Sequence, residues 1–274
     1  MFTQIKKHKY FYLAVGIVVL ILAFNIFTAY RRLIPEPIFL EHYYEGYYEH
    51  FYDRFFLEYI DNNNSNKNIS NVYFPEVNIK LFAEPYYEYN YNYYTHKIVN
   101  FPLAVSKDDI FFDLEKVELN RAIISYTDSS TQEVDLGRII LYREKKETQG
   151  LIPIVSHVGL PKERSENSYE IDGEILVKDI QADLQEQLSD IIDMDVNTLD
   201  NNISINMAVL KPDDERKFNV YDICYHMVYK NMGGETYIIP LGPVGYNPFF
   251  TEEEIMRYVK YNKYSRKQLL LKEQ

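Results

Sequence analysis

Residues 203–209 read Ile-Ser-Ile-Asn-Met-Ala-Val, so apolar side chains alternate with small or polar ones along the stretch. A period of two is typical of a β-strand, because successive side chains point to opposite faces of a sheet. The same alternation or a β-rich composition recurs at residues 77–81, 97–105, 117–126, 134–142, 151–158 and 169–177. Roughly nine short strands predict a mainly β fold, a β-sandwich whose plan is compatible with that of immunoglobulin domains. The chain has one Cys and no Trp, so the Cys…Trp…Cys pattern of those domains is absent.

Two hairpin turns are visible between the predicted strands. The stretch Thr127–Thr131, with the sequence Thr-Asp-Ser-Ser-Thr, consists of turn-forming residues. Residues 231–234, Asn-Met-Gly-Gly, lie between two further β-rich runs, Val220–Tyr229 and Thr236–Leu241. A helix is the alternative for the first of these runs, because Tyr221, Tyr225 and Val228 would share one helical face.

Two helices are predicted in and after the β-rich domain, which spans residues 69–250. Apolar residues at three- and four-residue spacing indicate the first of them: Ile180, Leu184, Leu188 and Ile191. The second occupies residues 251–274, because Thr251 is followed by Glu254 in the spacing of a capping box. This C-terminal helix carries the main basic cluster of the chain. The cluster could pair with the acidic segment near the N-terminus, touch an anionic envelope polymer, or simply be solvated.

Residues 10–30 form an uncharged, largely apolar run with Tyr at both ends. About 20 helical residues cross the hydrocarbon layer of a bilayer, so the run predicts a transmembrane signal anchor. A cleaved signal peptide is the alternative, but its apolar region is usually shorter and ends in a small-residue cleavage site. Three Lys and the α-amine precede the run and two Arg follow it. This balance places residues 1–9 in the cytoplasm and the rest of the chain outside.

The charge of the chain changes at the end of this run. The net charge of −12 divides into +3 on residues 1–30 and −15 on residues 31–274. Nucleic-acid binding is disfavoured, because phosphate contacts need clustered Lys and Arg on one surface. Thirteen of the 27 Tyr lie between residues 43 and 94, directly after the predicted anchor.

Aromatic or apolar doublets recur every four residues in the segment 38–60, with acidic residues and His between them. This spacing gives a broad apolar stripe on a helix, so residues 38–60 are predicted as an amphipathic aromatic helix. Together with the Asn-rich tract that follows, it makes up the juxtamembrane region, residues 31–68. We expect the stripe to dock on the folded domain, or else on a protein partner or a second copy. Its polar ladder of Glu41, Glu45, Glu49, Asp53, His42 and His50 is read as a solvated face rather than a metal site.

A second Tyr cluster follows at residues 86–94, where Tyr89, Tyr91 and Tyr93 alternate with Asn. In a strand these three phenol rings would share one face. That face is expected to cover the core, and the alternative is an exposed surface that binds peptide or glycan.

Few residues in the sequence are candidates for catalysis or metal binding. Cys224 and His226 would share one face of a strand, but a nucleophile and its base normally come from separate elements. The sequence Asp193-Met194-Asp195-Val196-Asn197, with Asp200 and Asn201 beyond, resembles the opening of a calcium loop. It lacks the Gly and Glu that the EF-hand loop needs at its sixth and twelfth positions, so an acidic loop without metal is favoured. No catalytic residue, metal ligand or cofactor is assigned.

The sequence therefore favours a single-pass membrane protein with a β-rich extracytoplasmic domain. The expected role is a non-catalytic interaction or structural one at the cell envelope, with the bilayer contacted through residues 10–30. Two alternatives stay open: an anchored hydrolase of the envelope, and a sensor or inhibitor domain that acts with a membrane partner.

Overall fold

A computed structural model of the chain describes residues 2–51, 54–103, 115–143, 151–157, 164–171, 176–199, 202–209, 214–230 and 233–272. The helices are α1 (Phe2–Arg32), α2 (Tyr48–Phe51), α3 (Gln185–Leu188) and α4 (Glu252–Lys272), and a 3-10 turn covers Glu215–Phe218. The strands are β1 (Ile38–Phe39), β2 (His42–Tyr47), β3 (Phe56–Asn62), β4 (Ile69–Phe74), β5 (Ile79–Phe82), β6 (Glu84–Asn90), β7 (Tyr94–Asn100), β8 (Lys116–Tyr126), β9 (Thr131–Tyr142), β10 (Leu151–His157), β11 (Arg164–Ile171), β12 (Leu176–Gln181), β13 (Ile192–Leu199), β14 (Asn202–Val209), β15 (Val220–Lys230) and β16 (Thr236–Tyr246). The predicted mainly β fold is confirmed.

The first nine strands build one sandwich. One sheet has the order β1-β3-β7-β6, and the other has the order β2-β9-β8-β4-β5. Buried side chains from both sheets, such as Leu57, Val72, Val99 and Leu119, belong to one hydrophobic core. If β1, β3, β4, β6, β7, β8 and β9 are lettered A to G, the two sheets have the orders A-B-E-D and G-F-C, as in immunoglobulin domains. β2 is an additional strand beside strand G, and β5 is an additional strand beside strand C.

The last seven strands build a second sandwich on the same plan. One sheet has the order β10-β11-β14-β13, and β12, β15 and β16 form the opposing layer. In letters these are again A-B-E-D against C-F-G. A separate core includes Ile203 and Ile205 of β14 together with Met227 of β15 and Leu241 of β16. The predicted single β-rich domain over 69–250 is thus two sandwiches, and its boundary at residue 69 falls inside the first.

The two sandwiches share one continuous sheet. β15 runs parallel to β2, with Val220 opposite His42 and Ile223 opposite Glu45. β2 is also parallel to β9, and that pairing begins with His42 opposite Gly137. Gly137 has a φ of +86°, and a Cβ there would lie 2.8 Å from the carbonyl oxygen of His42. Only glycine therefore allows β2 to approach β9 so closely.

The helix predicted over residues 38–60 is wrong. The segment forms β1, β2, the single turn α2 and β3, and most of its aromatic side chains are buried in the first core. Strands that are covered on both faces lose the alternation of polar and apolar residues. Short buried strands separated by turns therefore reproduce the doublets that we interpreted as a helical stripe. These aromatic side chains pack on their own domain, as expected, but they do so from strands and not from a helix.

Other local predictions fared differently. Both hairpins are confirmed, since β8 pairs with β9 and β15 with β16, and the helical alternative for residues 220–229 is excluded. The helix over 180–191 is reduced to the four residues of α3. The C-terminal helix is confirmed together with its cap. The hydroxyl of Thr251 accepts a hydrogen bond from the Glu254 amide, and the Glu254 carboxylate accepts one from the Thr251 amide.

α1 is long and apolar enough to span a membrane between Phe11 and Arg32. Its C-terminal end is hydrogen-bonded to the end of the first sandwich where β3 finishes and β7 begins, which we call the pole of this sandwich. The backbone of Ile34 exchanges two hydrogen bonds with the Asn62 side chain, of 2.8 and 3.0 Å. The Tyr94 hydroxyl donates to the Arg32 carbonyl at 2.8 Å. β2 runs away from this pole, and β15 runs parallel to β2. The end of β15 that leads to β16 therefore points away from the pole.

Candidate functional site

Among the described side chains outside α1, a cluster of exposed aromatic rings lies on β6. This strand is at the edge of its sheet, and its one described neighbour is β7. Every residue of β6 is exposed, and the rings of Tyr86, Tyr87 and Tyr89 are 64%, 55% and 36% accessible. Of the alternating row predicted to cover the core, Tyr89 and Tyr93 are exposed, whereas Tyr91, in the turn after β6, is half-buried and packs against the first core. The prediction therefore holds for Tyr91 alone.

The rings on β6 support one another. Tyr87 and Tyr89 meet edge to face at 4.7 Å between centroids, and Tyr86 lies 4.7 Å from Phe56 of β3. Beside them a groove of about 380 Å³ is lined by residues of β3, β6 and β7. We call Tyr86, Tyr87, Tyr89 and this groove the β6 surface. Aromatic side chains arranged in this way offer a large contact area that loses little conformational entropy on binding.

Acidic side chains surround the β6 surface. Glu84 and Glu88 lie on the strand itself and are exposed. The Glu252 carboxylate accepts a hydrogen bond from the Asn92 amide at 2.9 Å, at the turn that follows β6. Lys97 also lines the groove, and its ammonium donates to the Asn68 side chain at 3.3 Å and lies over the Tyr59 ring. The surface therefore favours a ligand that carries positive charge.

A buried polar cluster lies behind Tyr89. The His96 ring stacks on Tyr89, and its Nε2 is 2.7 Å from Oε2 of Glu58. The Glu58 amide donates to Nε2 of His42 at 2.9 Å. Burial lowers the pKa of His42 to about 3, so this ring is neutral and can accept that bond. All three residues are buried. The cluster joins β2, β3 and β7 beneath the edge strand and fixes the ring on which Tyr89 rests.

The end of α1 lies close to the same edge. The Arg32 guanidinium sits 4.1 Å from the centre of the Tyr93 ring, in the turn between β6 and β7. The ammonium of Lys263, on α4, donates to the carbonyl oxygens of Arg31 and Leu33 at 3.1 and 2.7 Å. Any membrane that α1 crosses would therefore begin next to this turn.

A buried carboxylate, that of Glu45 on β2, connects the two sandwiches. It accepts hydrogen bonds from the backbone amides of Asp183 and Leu184 at 2.8 and 2.9 Å and from the Tyr142 hydroxyl at 3.1 Å. Burial raises the pKa of Glu45, and these bonds partly offset that rise. An exposed ion pair of Lys116 with Asp183, at 2.6 Å, lies beside them. This arrangement fixes how the sandwiches are joined.

Cys224 and His226 do not form a catalytic pair in the described structure. A register shift in β15 falls between them. Cys224 is buried, its thiol donates to the Leu241 carbonyl, and burial raises its pKa well above the ordinary value. His226 instead faces the rings of Tyr47 and Tyr142, and burial lowers its pKa. A thiol that is both buried and protonated is a poor nucleophile.

Asp193, Asp195 and Asn197 lie on β13 and not in a loop, so that expectation is wrong. All three are exposed on one face of the strand, and the Asn197 amide donates to the Asp195 carboxylate at 2.7 Å. The backbones of alternate residues in an extended strand are roughly 6.6 Å apart, whereas a calcium loop folds its ligands around one ion. Within the described ranges no group of three potential ligands could hold a metal. Asp200 and Asn201 lie outside the described residues.

The sequence did not reveal Glu45 or the cluster of His42, Glu58 and His96. Glu45 was counted among the solvated acids, because its partners lie 138 and 139 positions later in the chain. His42 and Glu58 lie 38 or more positions from His96 in the sequence. The one available signal was that these polar residues fall within an otherwise aromatic segment.

The chain thus combines a helix that is long and apolar enough to span a membrane with two immunoglobulin-like sandwiches. No protein-family model matches it, and neither does any curated protein sequence. It is similar to a chimeric titin Z1Z2 tandem carrying an exogenous fibronectin peptide, at 10% identity over 78% of this chain and 100% of that chain, with a TM-score of 0.23. It is also similar to fibronectin(III)-like modules of Clostridium thermocellum CbhA, at 11% identity over 78% and 94%, with a TM-score of 0.20. Because these TM-scores are low, the description of the two sandwiches as immunoglobulin-like depends on their strand order alone.

Proposed function

We propose that this is a single-pass membrane protein in which α1 crosses the bilayer and residues 1–9 lie in the cytoplasm. The two sandwiches then stand outside the cell as a non-catalytic binding module of the envelope. The observation that carries the proposal is the exposed, tyrosine-rich strand β6, at the pole where α1 joins the first sandwich. A binding surface in this position meets partners close to the membrane.

The partner that we propose for the β6 surface is a protein segment that is extended and basic. An edge strand leaves main-chain donors and acceptors open to a further strand, and Tyr side chains supply contact area beside them. Glu84, Glu88 and Glu252 supply the complementary charge. A second copy of the chain fits less well, because residues 31–274 carry a net charge of −15 and would repel one another.

The aromatic segment 38–60 was expected to dock on the folded domain, with a protein partner or a second copy as the alternatives. Its buried rings include Phe39, Tyr44, Phe51, Phe55 and Tyr59, so they are not available for contact. The proposal therefore moves the partner surface from this segment to β6. The buried, protonated thiol of Cys224 supports a role that does not involve catalysis.

The membrane topology is tested with a reporter fused after Gln274. Enzymatic activity of a reporter that works only outside the cytoplasm is expected. Activity of a cytoplasm-dependent reporter at the same position would overturn the orientation. Resistance of the full chain to alkaline extraction from membranes tests separately whether α1 anchors it.

Partner binding is tested with the full chain in lipid nanodiscs and two fluorescent peptides of equal length, one alternating Val with Lys and one alternating Val with Glu. The Val-Lys peptide should bind more tightly, and the double variant Tyr86→Ala, Tyr87→Ala should weaken it about tenfold or more. The control is Ile238→Ala, which removes an exposed apolar side chain of the second sandwich. Equal binding of both peptides, or no effect of the Tyr variant, would contradict the proposed partner class.

A further inference from the structure

α4 lies across the pole of the first sandwich from which α1 leaves. At its start, Glu252 bonds the Asn92 amide in the turn between β6 and β7. Eleven residues later, Lys263 bonds the carbonyl oxygens of Arg31 and Leu33 at the end of α1. These two contacts are roughly 16 Å apart along a helix, and both are at the same pole. The helix axis therefore follows the surface that a bilayer crossed by α1 would face.

One side of α4 is fixed to the protein and the other is exposed. Ile255, Tyr258 and Val259 are buried in the first core. The opposite side presents Lys260 and the ring of Tyr261, which is 55% accessible. Lys side chains, which can extend to the headgroups, and amphipathic Tyr rings are both favoured at membrane–water interfaces.

The charge of α4 differs from that of the rest of the outer part. α4 begins with Glu252, Glu253 and Glu254, but its remaining residues, 255–272, contain six basic residues and no acidic one, whereas residues 31–274 as a whole carry −15. The described ion pairs use Arg257, which contacts Glu215 at 3.3 Å, and leave Lys260 exposed. A basic helix beside a membrane exit is complementary to anionic phospholipid headgroups.

We infer that the exposed face of α4 binds the anionic headgroups of the outer leaflet and so gives the first sandwich a second attachment to the bilayer. This inference rests on the proposed function, because it requires that α1 spans the membrane. With α1 and α4 both attached, the sandwich is held in one orientation. The β6–β7 turn is then kept at the membrane surface, with β6 rising from it toward partners.

The absence of Trp from the chain provides a clean fluorescent probe. The variant Tyr261→Trp places one indole on the exposed face of α4, and we call it the α4 probe. The variant Ile238→Trp places one indole on β16 of the second sandwich, and we call it the β16 probe. Ile238 pairs with Val228, which lies eight residues along β15 from the level of His42, roughly 26 Å farther from α1. Each full-length variant is reconstituted in vesicles of phosphatidylcholine with phosphatidylglycerol, and quenching by bromine-labelled lipid is measured.

We expect quenching of the α4 probe to exceed that of the β16 probe by at least about twofold, and to fall when phosphatidylglycerol is omitted or salt is raised. The added substitution Lys260→Glu should reduce quenching of the α4 probe, because it reverses an exposed charge on the same face of the helix. The matched control, Lys230→Glu, makes the same charge change at an exposed position at the end of β15 and should leave that quenching unchanged.

The outcomes separate this inference from the proposed function. If the chain floats with vesicles but the α4 and β16 probes are quenched equally, the inference fails and the anchor stands. If the chain does not float with vesicles, the anchor fails and the inference fails with it. Quenching of the α4 probe that does not depend on phosphatidylglycerol would overturn headgroup recognition. A response of the α4 probe to soluble polyphosphate but not to vesicles would assign the face to an envelope polyanion and contradict lipid binding.

Discussion

Two aromatic regions of this protein, the segment 38–60 and the Tyr residues of β6 (Tyr86, Tyr87 and Tyr89), have opposite environments. In the first, rings such as Tyr44, Phe55 and Tyr59 are buried, whereas in the second Tyr86 and Tyr87 are mostly exposed. The difference follows from the position of the strands. β2 lies between β9 and β15, and β3 lies between β1 and β7, but β6 is at an edge. Strand position in the sheet therefore decides whether a Tyr stabilises the fold or is available to a partner.

The largest difference between the segments should appear when one ring is removed from each. Phe55 is fully buried and its ring contacts those of Tyr44, Phe51 and Phe74 at centroid distances of 6.0, 6.2 and 5.9 Å. Phe55→Ala should lower the free energy of unfolding by about 3–5 kcal/mol, because it leaves a cavity in the core. Tyr87→Ala should change it by less than about 0.5 kcal/mol.

Guanidinium denaturation followed by circular dichroism measures both variants against the unmodified chain. Equal shifts of the midpoint would show that β6 contributes to the core as much as the segment 38–60 does. That result would remove the basis for treating the β6 surface as a binding site.

Glu45 tests the buried segment as the joint between sandwiches. Glu45→Ala removes the acceptor for the amides of Asp183 and Leu184, and we expect a loss of about 3 kcal/mol, because buried donors are left unpaired. Glu45→Gln retains one carbonyl oxygen and should lose less. Hydrogen exchange at the amides of Asp183 and Leu184 locates the effect, and both should exchange faster in the Ala variant.

Glu84→Ala on the exposed strand is the matched control for Glu45→Ala. Its carboxylate is exposed, so neither stability nor exchange at residues 183 and 184 should change measurably. A large effect of the Glu84 variant, or unchanged exchange in the Glu45 variant, would contradict the assignment of Glu45 as the joint.

The same two segments show what the sequence could and could not predict. The strands at 203–209, 117–126 and 134–142 were readable because each has a local period or composition. The segment 38–60 was misread because its strands are covered on both faces and lose that period. One local signal that β6 is an edge strand was missed, namely Pro85, because a proline cannot donate to a neighbouring strand and is found in edge strands or at bulges. Which strands pair with one another depends on residues far apart in the chain. For the same reason Glu45 looked like any other solvated acid.

The buried segment should contribute to the pH dependence of stability through His42. Burial lowers the pKa of His42 to about 3, from an ordinary value of 6.5. Between these values the unfolded chain binds the proton more readily, so stability is lost as pH falls from about 6.5 toward 3. The contribution reaches at most about 1.4 kcal/mol per pH unit. The groups around His42 are the Glu58 amide, the Tyr44 ring, the Leu40 backbone and His96.

His42→Gln isolates the contribution of His42 to the pH dependence of stability. The Gln carbonyl can still accept the Glu58 amide but does not titrate in this range, so the unfolding free energy should vary less with pH. Denaturation curves at several pH values from about 3 to about 7 measure the slope. Identical slopes for the variant and the unmodified chain would assign the pH dependence to other groups. The segment 86–94 contains no His, so it adds no titration of this kind.

The smallest expected effect separates the two kinds of tyrosine by a single oxygen atom. The Tyr44 hydroxyl donates to the Phe56 carbonyl at 3.0 Å, within the buried segment. Tyr44→Phe keeps the ring and removes that bond, so it should cost about 1 kcal/mol. The Tyr86 ring is exposed, so Tyr86→Phe should leave stability unchanged. If the β6 surface binds through its phenol hydroxyls, Tyr86→Phe should weaken binding of the Val-Lys peptide. The unfolding curve of this variant should stay the same as that of the unmodified chain. A variant that loses stability and binding together would show instead that β6 belongs to the folded core, and the distinction between the two segments would fail.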